Sequence, residues 1–413
     1  MFLLTTGGGV GSENLYQIGK DYLKKFCIEI SERCVGSAGN RKATRFFEEE
    51  IASLGWNTKC QKFDAIDWRD GGAILKCDNL NFEVFASPYS LGCDLEAYLV
   101  SASNVDELEK LNMDNKIVLL HGKIAQEQLM PKNFEFYNPA EHKRIISLLE
   151  KGQPKAIVCA PVRNVSSAGG EYPFPIIEDG DFDIPSVFMT EEEGHRLMQS
   201  LGKKFALKSK SKRISAQGYN IVARKGSSSA ERLVFTAHID AKKGSPGAID
   251  NATGVITLLI LARLLKDYHG ERPIEIVALN GEDYYAASGQ KLYIRENKDE
   301  IGDFLLNITI DGAGYKEGNT IFSLFDLPPK IRNKVKEVMD IFENIEEGPQ
   351  YPQGDHSIFL QNGCPAIAVS SKWLIDNLYE QKITHTSQDN INIVEIGKVI
   401  EIARALNLLS RKL

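Results

Sequence analysis

The chain has 413 residues, of which 43% are hydrophobic and 25% are charged, as in ordinary soluble globular proteins. At roughly 100–200 residues per domain, this length predicts two or three domains. Its 56 acidic and 49 basic side chains give a formal charge of -7, which argues against nucleic acid or an anionic membrane as the main partner. No segment approaches the ~20 apolar residues of a membrane-spanning helix.

The seven cysteines are scattered along the chain and form no CxxC pair or other structural zinc spacing. This pattern is typical of reduced thiols, so we expect a cytoplasmic protein. The opening residues lack the basic and apolar regions of a signal peptide. Secretion is the alternative if a leader precedes this sequence in the natural chain, and the composition leaves the oligomeric state open.

Apolar residues at helical spacing predict two helices near the beginning of the chain, over residues 22–33 and 41–54. Asn40 is the expected N-cap of the second helix, which should end at Gly55.

Short strand-like runs dominate residues 67–215, at 82–86, 116–120, 155–159 and 186–189, with helices near 139–151 and 190–201. This pattern of short strands predicts a separate, strand-rich domain. It is inserted into a discontinuous domain made of residues 13–66 and 216–413. The basic cluster at residues 203–213 lacks the interleaved aromatic residues of a nucleic-acid platform. The acidic loop at residues 178–183 lacks EF-hand spacing. We interpret both as solvated surface.

After residue 219 the pattern changes to buried strands alternating with helices. Apolar runs at 232–237, 274–279, 305–310 and 365–369 read as strands, and 253–268 and 393–409 read as helices. This alternation predicts an α/β fold with a mixed, mostly parallel sheet covered by helices on both faces. Functional sites in such sheets form at the carboxyl ends of the strands.

Imidazole and carboxylate side chains follow these predicted strands or lie in the loops between them. They are His238, Asp240, Asp250, Glu282, Asp283, Asp311, Asp355, His356, His385 and Asp389. Mixed imidazole and carboxylate ligands suit zinc, with cobalt or manganese possible. So many neighbouring carboxylates would repel one another without cations, which favours two ions sharing a bridging carboxylate. Because Glu282 and Asp283 are adjacent, they point in different directions from an extended segment, and only one need bind metal.

The order and spacing of these motifs resemble the co-catalytic dizinc aminopeptidases of family M28, which have a zinc-exopeptidase (phosphorylase/hydrolase-like) fold. The motifs are His238-x-Asp240, Pro246-Gly247-Ala248-x-Asp250-Asn251-x-x-Gly254, Asn280-Gly281-Glu282-Asp283, Asp311 and His385-Thr386-x-x-Asp389. This resemblance covers residues 15–66 and 217–413. The runs at 116–120, 156–158 and 184–187 resemble strands of a protease-associated (PA) domain, which many members carry inserted at this point.

The resemblance implies a ligand set for two zinc ions. Asp250 would bridge both ions, His238 and Asp311 would complete one site, and Asp283 and His385 would complete the other. The implied function is that of a metal-dependent exopeptidase, an aminopeptidase that removes N-terminal residues from peptides. The insert would restrict it to short or unfolded substrates.

The resemblance also implies roles beyond metal binding. Glu282 would be the general base, and Asp240 would accept a hydrogen bond from His238 and fix its tautomer. Substrate contacts are expected from Asp355, His356 and Tyr284.

Two positions depart from the family pattern. Asp283 stands where Glu is more frequent, and Thr384 stands where many relatives carry a Tyr that stabilises the developing oxyanion. Zinc alone, Tyr284 or Tyr285 would then take over the role of that Tyr.

Three alternative functions share this fold: a metallocarboxypeptidase, a glutaminyl-cyclase-like enzyme with one zinc, and a non-catalytic binding protein. The filled ligand positions argue against the last, and His238 argues for two ions.

Overall fold

The computed structural model describes residues 12–30, 32–135, 137–163, 171–226, 231–378 and 380–413. The chain divides into two compact units. Unit 1 comprises residues 12–63, Gly218–Leu378 and Ile383–Leu413, and unit 2 comprises Asp64–Gln217 and residues 380–382. The predicted insert, residues 67–215, falls inside unit 2.

The strands are numbered along the chain. They are β1 (Asn57–Arg69), β2 (Ala73–Cys77), β3 (Leu80–Phe82), β4 (Phe85–Ala86), β5 (Cys93–Ala102), β6 (Ile117–Leu120), β7 (Ala156–Cys159), β8 (Ser186–Phe188), β9 (Lys204–Ser209), β10 (Lys212–Lys225), β11 (Leu233–His238), β12 (Ile274–Leu279), β13 (Leu306–Ile310), β14 (Thr320–Phe325), β15 (Ile345–Gly348) and β16 (Ala366–Ser371).

The helices are numbered in the same way. They are α1 (Ser12–Lys24), α2 (Ala38–Ser53), α3 (Val105–Lys110), α4 (Ala140–Gly152), α5 (Glu191–Met198), α6 (Thr253–Leu264), α7 (Ser288–Asn297), α8 (Pro329–Met339), α9 (His356–Gln361), α10 (Lys372–Asp376) and α11 (Ile396–Lys412). A π-helical turn, Lys25–Glu29, continues α1, and a tight turn, Ala248–Ala252, leads into α6.

The sheet of unit 1 has the strand order β1-β10-β12-β11-β13-β16-β14-β15. Strands β12, β11, β13 and β16 run parallel, whereas β10 and β14 pair antiparallel with β12 and β16. The predicted mixed, mostly parallel α/β sheet is therefore confirmed. In this register His238 lies opposite Leu279, so the residues that follow β11 and β12 emerge side by side.

The core of unit 1 is built around α6 and the central strands. Every residue of β11, β12 and β13 is buried, and α6 is buried from Thr253 to Ala262. A helix that is apolar all round belongs inside a core, and each fully buried Leu or Ile contributes about 1.5–3 kcal/mol relative to exposure. Within the described residues, no helix has both the length and the apolar character needed to cross a bilayer.

The N-terminal helices begin earlier than their sequence pattern predicts. Helix α1 already starts at Ser12, and α2 starts at Ala38. The N-cap of α2 is Ser37, not Asn40, because the Ser37 hydroxyl accepts the backbone N–H of Asn40 at 3.0 Å. Asn40 is buried in the first turn, and its side chain is used elsewhere.

The sheet of unit 2 has the strand order β3-β2-β9-β5-β6-β7-β8-β4. The strand predicted over residues 82–86 is wrong, because this run divides into the end of β3 and the whole of β4. Strand β3 pairs with β2 and β4 pairs with β8, at opposite ends of the strand order. Since only two residues separate them, the sheet bends until these two edges approach each other.

The charged clusters of unit 2 have partners within that unit. Lys204 pairs with Glu96 at 2.6 Å, and Lys208 pairs with Asp94 at 2.6 Å. In the acidic loop, the buried carboxylate of Asp179 accepts backbone N–H groups. The exposed lysines agree with the interpretation of the basic cluster as solvated surface, whereas Asp179 in the acidic loop is buried.

Candidate metal centre

The carboxyl edge of the unit 1 sheet brings together side chains that are far apart in sequence. His238 is the last residue of β11, Asp283 lies four residues beyond β12, and Asp311 directly follows β13. Because these strands are parallel, the residues that follow them reach the same edge. Asp250, from the turn before α6, and His385, from the loop before α11, complete the group.

The two carboxylate oxygens of Asp250 face two different imidazoles. Its Oδ1 lies 3.1 Å from His238 Nε2, and its Oδ2 lies 3.2 Å from His385 Nε2. His238 Nε2 also lies 3.5 Å from Asp311 Oδ1, and His385 Nε2 lies 3.1 Å from Asp283 Oδ1. The five predicted ligands therefore form two sets that share Asp250.

The chemistry of these atoms fits a divalent metal. One ligand atom each from His238, Asp250 and Asp283 lie within 4.8 Å of one another. Among the described residues, both ring nitrogens of His238 and Oδ2 of Asp283 are buried without a hydrogen-bond partner. Buried polar atoms are normally satisfied because leaving them unpaired is costly. A cation bound by imidazole and carboxylate would use these lone pairs.

The electrostatics of the group also call for positive charge. Burial opposes the charged form of His238, yet the carboxylates around it, Asp311 first, raise its pKa well above the ordinary value. The pKa of His385 is raised in the same way, against burial, mainly by Asp283. For Asp250, burial opposes ionisation, but the two imidazoles hold its pKa well below the usual range. Carboxylates outnumber imidazoles here, so cations would relieve their mutual repulsion.

Glu282 is half-buried in a turn beside this group. Burial raises the pKa of its carboxyl, the charge of His238 opposes this, and the carboxylate of Asp283 raises it further. Gly281 makes the turn possible, since its φ of 137° is a conformation that other residues rarely adopt. The chain can therefore turn here and place adjacent carboxylates in different environments.

Asp240 differs from its predicted contact. Its Oδ1 lies 3.7 Å from His238 Nδ1, which is longer than a hydrogen bond. Instead, Oδ1 accepts the backbone N–H of Gly281 at 2.7 Å, and Oδ2 accepts that of Asp283 at 3.0 Å. This follows from the parallel pairing of β11 and β12, which places the residues after each strand next to one another. Asp240 thus fixes the turn that carries Glu282.

Asp389 and Arg33 hold the backbone around Asp250. The Asp389 carboxylate accepts the N–H groups of Ile249 at 2.8 Å and Asp250 at 3.1 Å. The buried guanidinium of Arg33 donates to the carbonyls of Ile239 and Gly247, among others. From the sequence, Asp389 is interpreted as a turn cap. Arg33 has no recognisable signal there, because Ile239 and Gly247 are more than 200 residues away.

A pair of buried amides supports the Glu282 turn from behind. The Asn40 and Asn280 side chains each donate to the other at 2.9 Å. The backbone N–H of Asn280 donates to the Asn220 side chain at 3.0 Å. The start of α2 is therefore tied directly to the end of β12, and sequence reasoning did not identify this contact.

The predicted substrate contacts lie in different environments. The buried Asp355 accepts a hydrogen bond from Gln290 at 3.0 Å, while its Oδ2 has no partner among the described residues. Burial raises the pKa of Asp355 to about 7, against the opposing charge of His238. His356 Nε2 instead lies 3.0 Å from the carbonyl oxygen of Tyr351. This contact holds the His356 ring against the segment that precedes α9. Tyr284 is buried, with its ring centroid 4.5 Å from that of Tyr285.

Thr384, the residue where many relatives carry Tyr, is also buried, directly before His385. The side chain of Thr is much shorter than that of Tyr, so its hydroxyl cannot reach as far into a site.

The chain resembles known peptidases in sequence and in fold. Residues 220–409 match the sequence profile of peptidase family M28. Aminopeptidase YwaD of Bacillus subtilis strain 168 is 26% identical over 297 residues, which are 69% of this chain and 59% of that protein. The match therefore spans less than two thirds of this relative.

Solved structures extend the likeness over nearly the whole chain. An aminopeptidase from Aneurinibacillus sp. strain AM-1 has a TM-score of 0.72 and 19% identity, covering 96% of this chain and 95% of that one. BSAP, a zinc aminopeptidase from Bacillus subtilis, has a TM-score of 0.73 and 18% identity, covering 96% and 94%. At such identities these likenesses show the fold. The solved structures thus share the fold of this chain, and its sequence similarity to peptidase family M28 lies in residues 220–409.

Proposed function

We propose that this protein is a zinc-dependent aminopeptidase that removes N-terminal residues from peptides. The observation that carries the proposal is the Asp250 carboxylate, whose two oxygens lie 3.1 Å from His238 and 3.2 Å from His385. A carboxylate placed in this way suits a bridge between two ions. The matched relatives support the choice of reaction, since they are an aminopeptidase and a zinc aminopeptidase by name.

In this proposal the five ligands divide between two zinc ions. Asp250 would bridge, His238 and Asp311 would hold one ion, and Asp283 and His385 would hold the other. When bound, the two ions supply Lewis-acid polarisation of the scissile carbonyl and compensation for the carboxylate charge. Cobalt and manganese accept the same ligand types and could replace zinc.

Glu282 would act as the general base. Its carboxylate would take a proton from the attacking water and later give it to the leaving amine nitrogen. Burial raises the pKa of Glu282, and this supports the role because a carboxylate with a raised pKa is a stronger base than an exposed one. Asp240 would keep Glu282 in place through its hydrogen bonds to Gly281 and Asp283.

The substrate side of the proposal rests mainly on Asp355. Its Oδ2 is buried and has no partner among the described residues, while its Oδ1 is held by Gln290. We assign it as a substrate contact through this oxygen. His356 would position the Asp355 loop, because its ring packs against Phe325 with centroids 4.7 Å apart.

Unit 2 would be the PA-like domain. It would influence which peptides the enzyme accepts as substrates. Its own sheet and buried clusters support an independent module.

Metal analysis combined with a small substrate panel tests the proposal. Protein purified without chelator should contain close to two zinc ions per chain. It should release a reporter group from an aminoacyl substrate with a free N-terminus, and it should not act on the N-acetylated form.

Other outcomes would favour the alternatives. One zinc with full activity on an N-terminal glutaminyl peptide would indicate a cyclase, and release of C-terminal residues would indicate a carboxypeptidase. Two bound zinc ions without turnover of any substrate would indicate a binding protein.

A further inference from the structure

Arg33 is a buried cation whose guanidinium donates to several backbone carbonyls. Its side chain is 1% exposed. The guanidinium donates to the carbonyls of Phe26 at 2.7 Å, Ile239 at 3.1 Å, Pro246 at 2.8 Å and Gly247 at 2.8 Å. A buried charge is costly unless its donors are paired, and these contacts use four of the five N–H donors of the guanidinium.

Asp389 holds the same loop as a hydrogen-bond acceptor, whereas Arg33 holds it as a donor. Its carboxylate accepts the N–H groups of Ile249 at 2.8 Å and Asp250 at 3.1 Å, and its carbonyl accepts the N–H of Ala248 at 3.2 Å. The carbonyls at the start of the loop therefore point to a cation, and the N–H groups at its end point to an anion. Charge-assisted hydrogen bonds of this kind are stronger than those between neutral groups, so the loop is fixed at both ends.

Gly247 lies directly against the guanidinium of Arg33. It has a φ of 58°, in the left-handed region. A Cβ added here would lie 2.8 Å from Arg33 Nη2 and 2.5 Å from the carbonyl oxygen of Asp250. A side chain at position 247 would therefore push the guanidinium and the backbone of Asp250 apart.

We propose that Arg33 is a positioning residue of the metal centre. Together with Asp389 it fixes the backbone of residues 246–250, and so sets the place of the Asp250 carboxylate between the two imidazoles. Through Ile239 it also holds the segment between His238 and Asp240. This inference rests on the proposed function, because the atoms that Arg33 would position belong to the proposed metal ligands. Arg33 lies outside the part of the chain that matches the family profile.

A merely structural role would predict loss of stability alone, and the chain offers a matched control. Arg232 is also buried, at 4% exposure, and its guanidinium donates to Glu300 at 2.9 Å and Asn297 at 2.7 Å. It directly precedes β11, whereas Ile239 directly follows that strand. Arg232→Lys therefore removes a buried guanidinium from the same unit at the end of the strand away from the ligands.

The experiment compares Arg33→Lys with Arg232→Lys in the full-length chain. Zinc affinity is measured by competition with a chelator, and hydrogen exchange is measured on the metal-free proteins. Arg33→Lys should weaken zinc binding about 10–100-fold, as expected when a group that orients a ligand is changed. Its amides at Ile249 and Asp250 should exchange faster. Arg232→Lys should leave both readouts within about twofold of wild type, since it does not touch the ligand segments.

Gly247→Ala provides a second variant, should Arg33→Lys not fold. The added Cβ displaces the same contacts from the side of the loop, so the same loss of zinc affinity and of amide protection is expected. Wild-type zinc affinity and wild-type exchange in either folded variant would overturn the proposal. An equal loss in Arg232→Lys would also overturn it, since general destabilisation would then explain the effect.

These readouts do not depend on peptide hydrolysis. Wild-type protein without aminopeptidase turnover would refute the proposed function, while zinc affinity would still decide the role of Arg33. If the wild type binds no zinc, the proposed metal centre is refuted, and amide exchange at Ile249 and Asp250 still decides whether Arg33 fixes the loop.

Discussion

The carboxylate of Asp240 accepts the backbone N–H of Asp283 at a distance of 3.0 Å. Its other oxygen accepts the N–H of Gly281 at 2.7 Å, so a single buried side chain spans the turn that presents Glu282. A carboxylate can accept at both oxygens, whereas an amide has only one acceptor oxygen. The geometry of the proposed base therefore depends on both side-chain oxygens of Asp240.

Replacing Asp240 with Asn tests this dependence. The amide nitrogen would face a backbone N–H, so one buried donor would lose its partner, at a cost of about 1–3 kcal/mol in the free energy of unfolding. Turnover should fall, because Glu282 is no longer held. Denaturation curves and reporter hydrolysis measure the two effects. Asp94→Asn is the control, since the exposed ion pair of Asp94 with Lys208 should contribute little. Unchanged turnover in Asp240→Asn would contradict the assignment.

Glu282→Gln should separate the proposed base from the proposed ligand. The amide keeps the size of the side chain but cannot take up a proton, so turnover should fall about 10²–10⁴-fold with little change in KM. Both metals should remain, as measured by elemental analysis. Asp283→Ala should instead weaken the binding of one ion. If Glu282→Gln loses a metal while Asp283→Ala does not, the two roles must be exchanged.

Removal of metal should destabilise the protein. Without cations, the carboxylates of Asp250 and Asp283 lie close together. Neither ring nitrogen of the buried His238 makes a hydrogen bond to a described residue, although Nε2 lies 3.1 Å from Asp250 Oδ1. Zinc at about 1,000 times its Kd should raise the free energy of unfolding by about 4 kcal/mol. Thermal denaturation of chelator-treated protein, with and without added zinc, measures this effect. Equal Tm values in both conditions would exclude a structural contribution from metal, and Asp250→Asn should show a much smaller zinc response.

Glu275 should contribute to the stability of the fold but not to metal binding. Its fully buried carboxylate pairs with Arg224 and, at 3.1 Å, with Arg232, and it accepts the Tyr293 hydroxyl. Loss of this carboxylate leaves the buried Tyr293 hydroxyl without its acceptor and removes one of the two carboxylates that pair with Arg232, at a cost of about 1–3 kcal/mol. Glu275→Leu should lower the free energy of unfolding by that amount, measured with urea. Zinc content should stay at the wild-type value, and a parallel loss of zinc would show that the two regions are coupled.

Replacing residues 67–215 with a short linker should leave unit 1 able to fold. The chain leaves through β1 and returns through β10, which are neighbours in the sheet order. Unit 1 also has its own large buried cluster. Circular dichroism and zinc analysis of the shortened chain test this expectation. A folded product that no longer binds zinc would show that the insert helps to build the metal centre.

The central buried strands and the polar residues that follow them could be predicted from the sequence. Continuous apolar runs are typical of strands buried on both faces, and parallel strands end at a common edge. His238, Asp283 and Asp311 could therefore be assigned to one site before any coordinates were known. Asp250 and His385 lie in loops, and the resemblance to a family supplied their roles.

Only the tertiary structure decided how these ligands are held. Arg33 reaches Ile239 and Gly247 across 206 and 214 residues, and Asn40 reaches Asn280 across 240. Asp240 contacts the turn after β12 and not, as predicted, the ring of His238. Periodicity reports which face of a local segment is buried, because that depends on residues a few positions apart. Hydrogen bonds from a side chain to a distant backbone depend on how whole segments pack, so they leave no local pattern in the sequence.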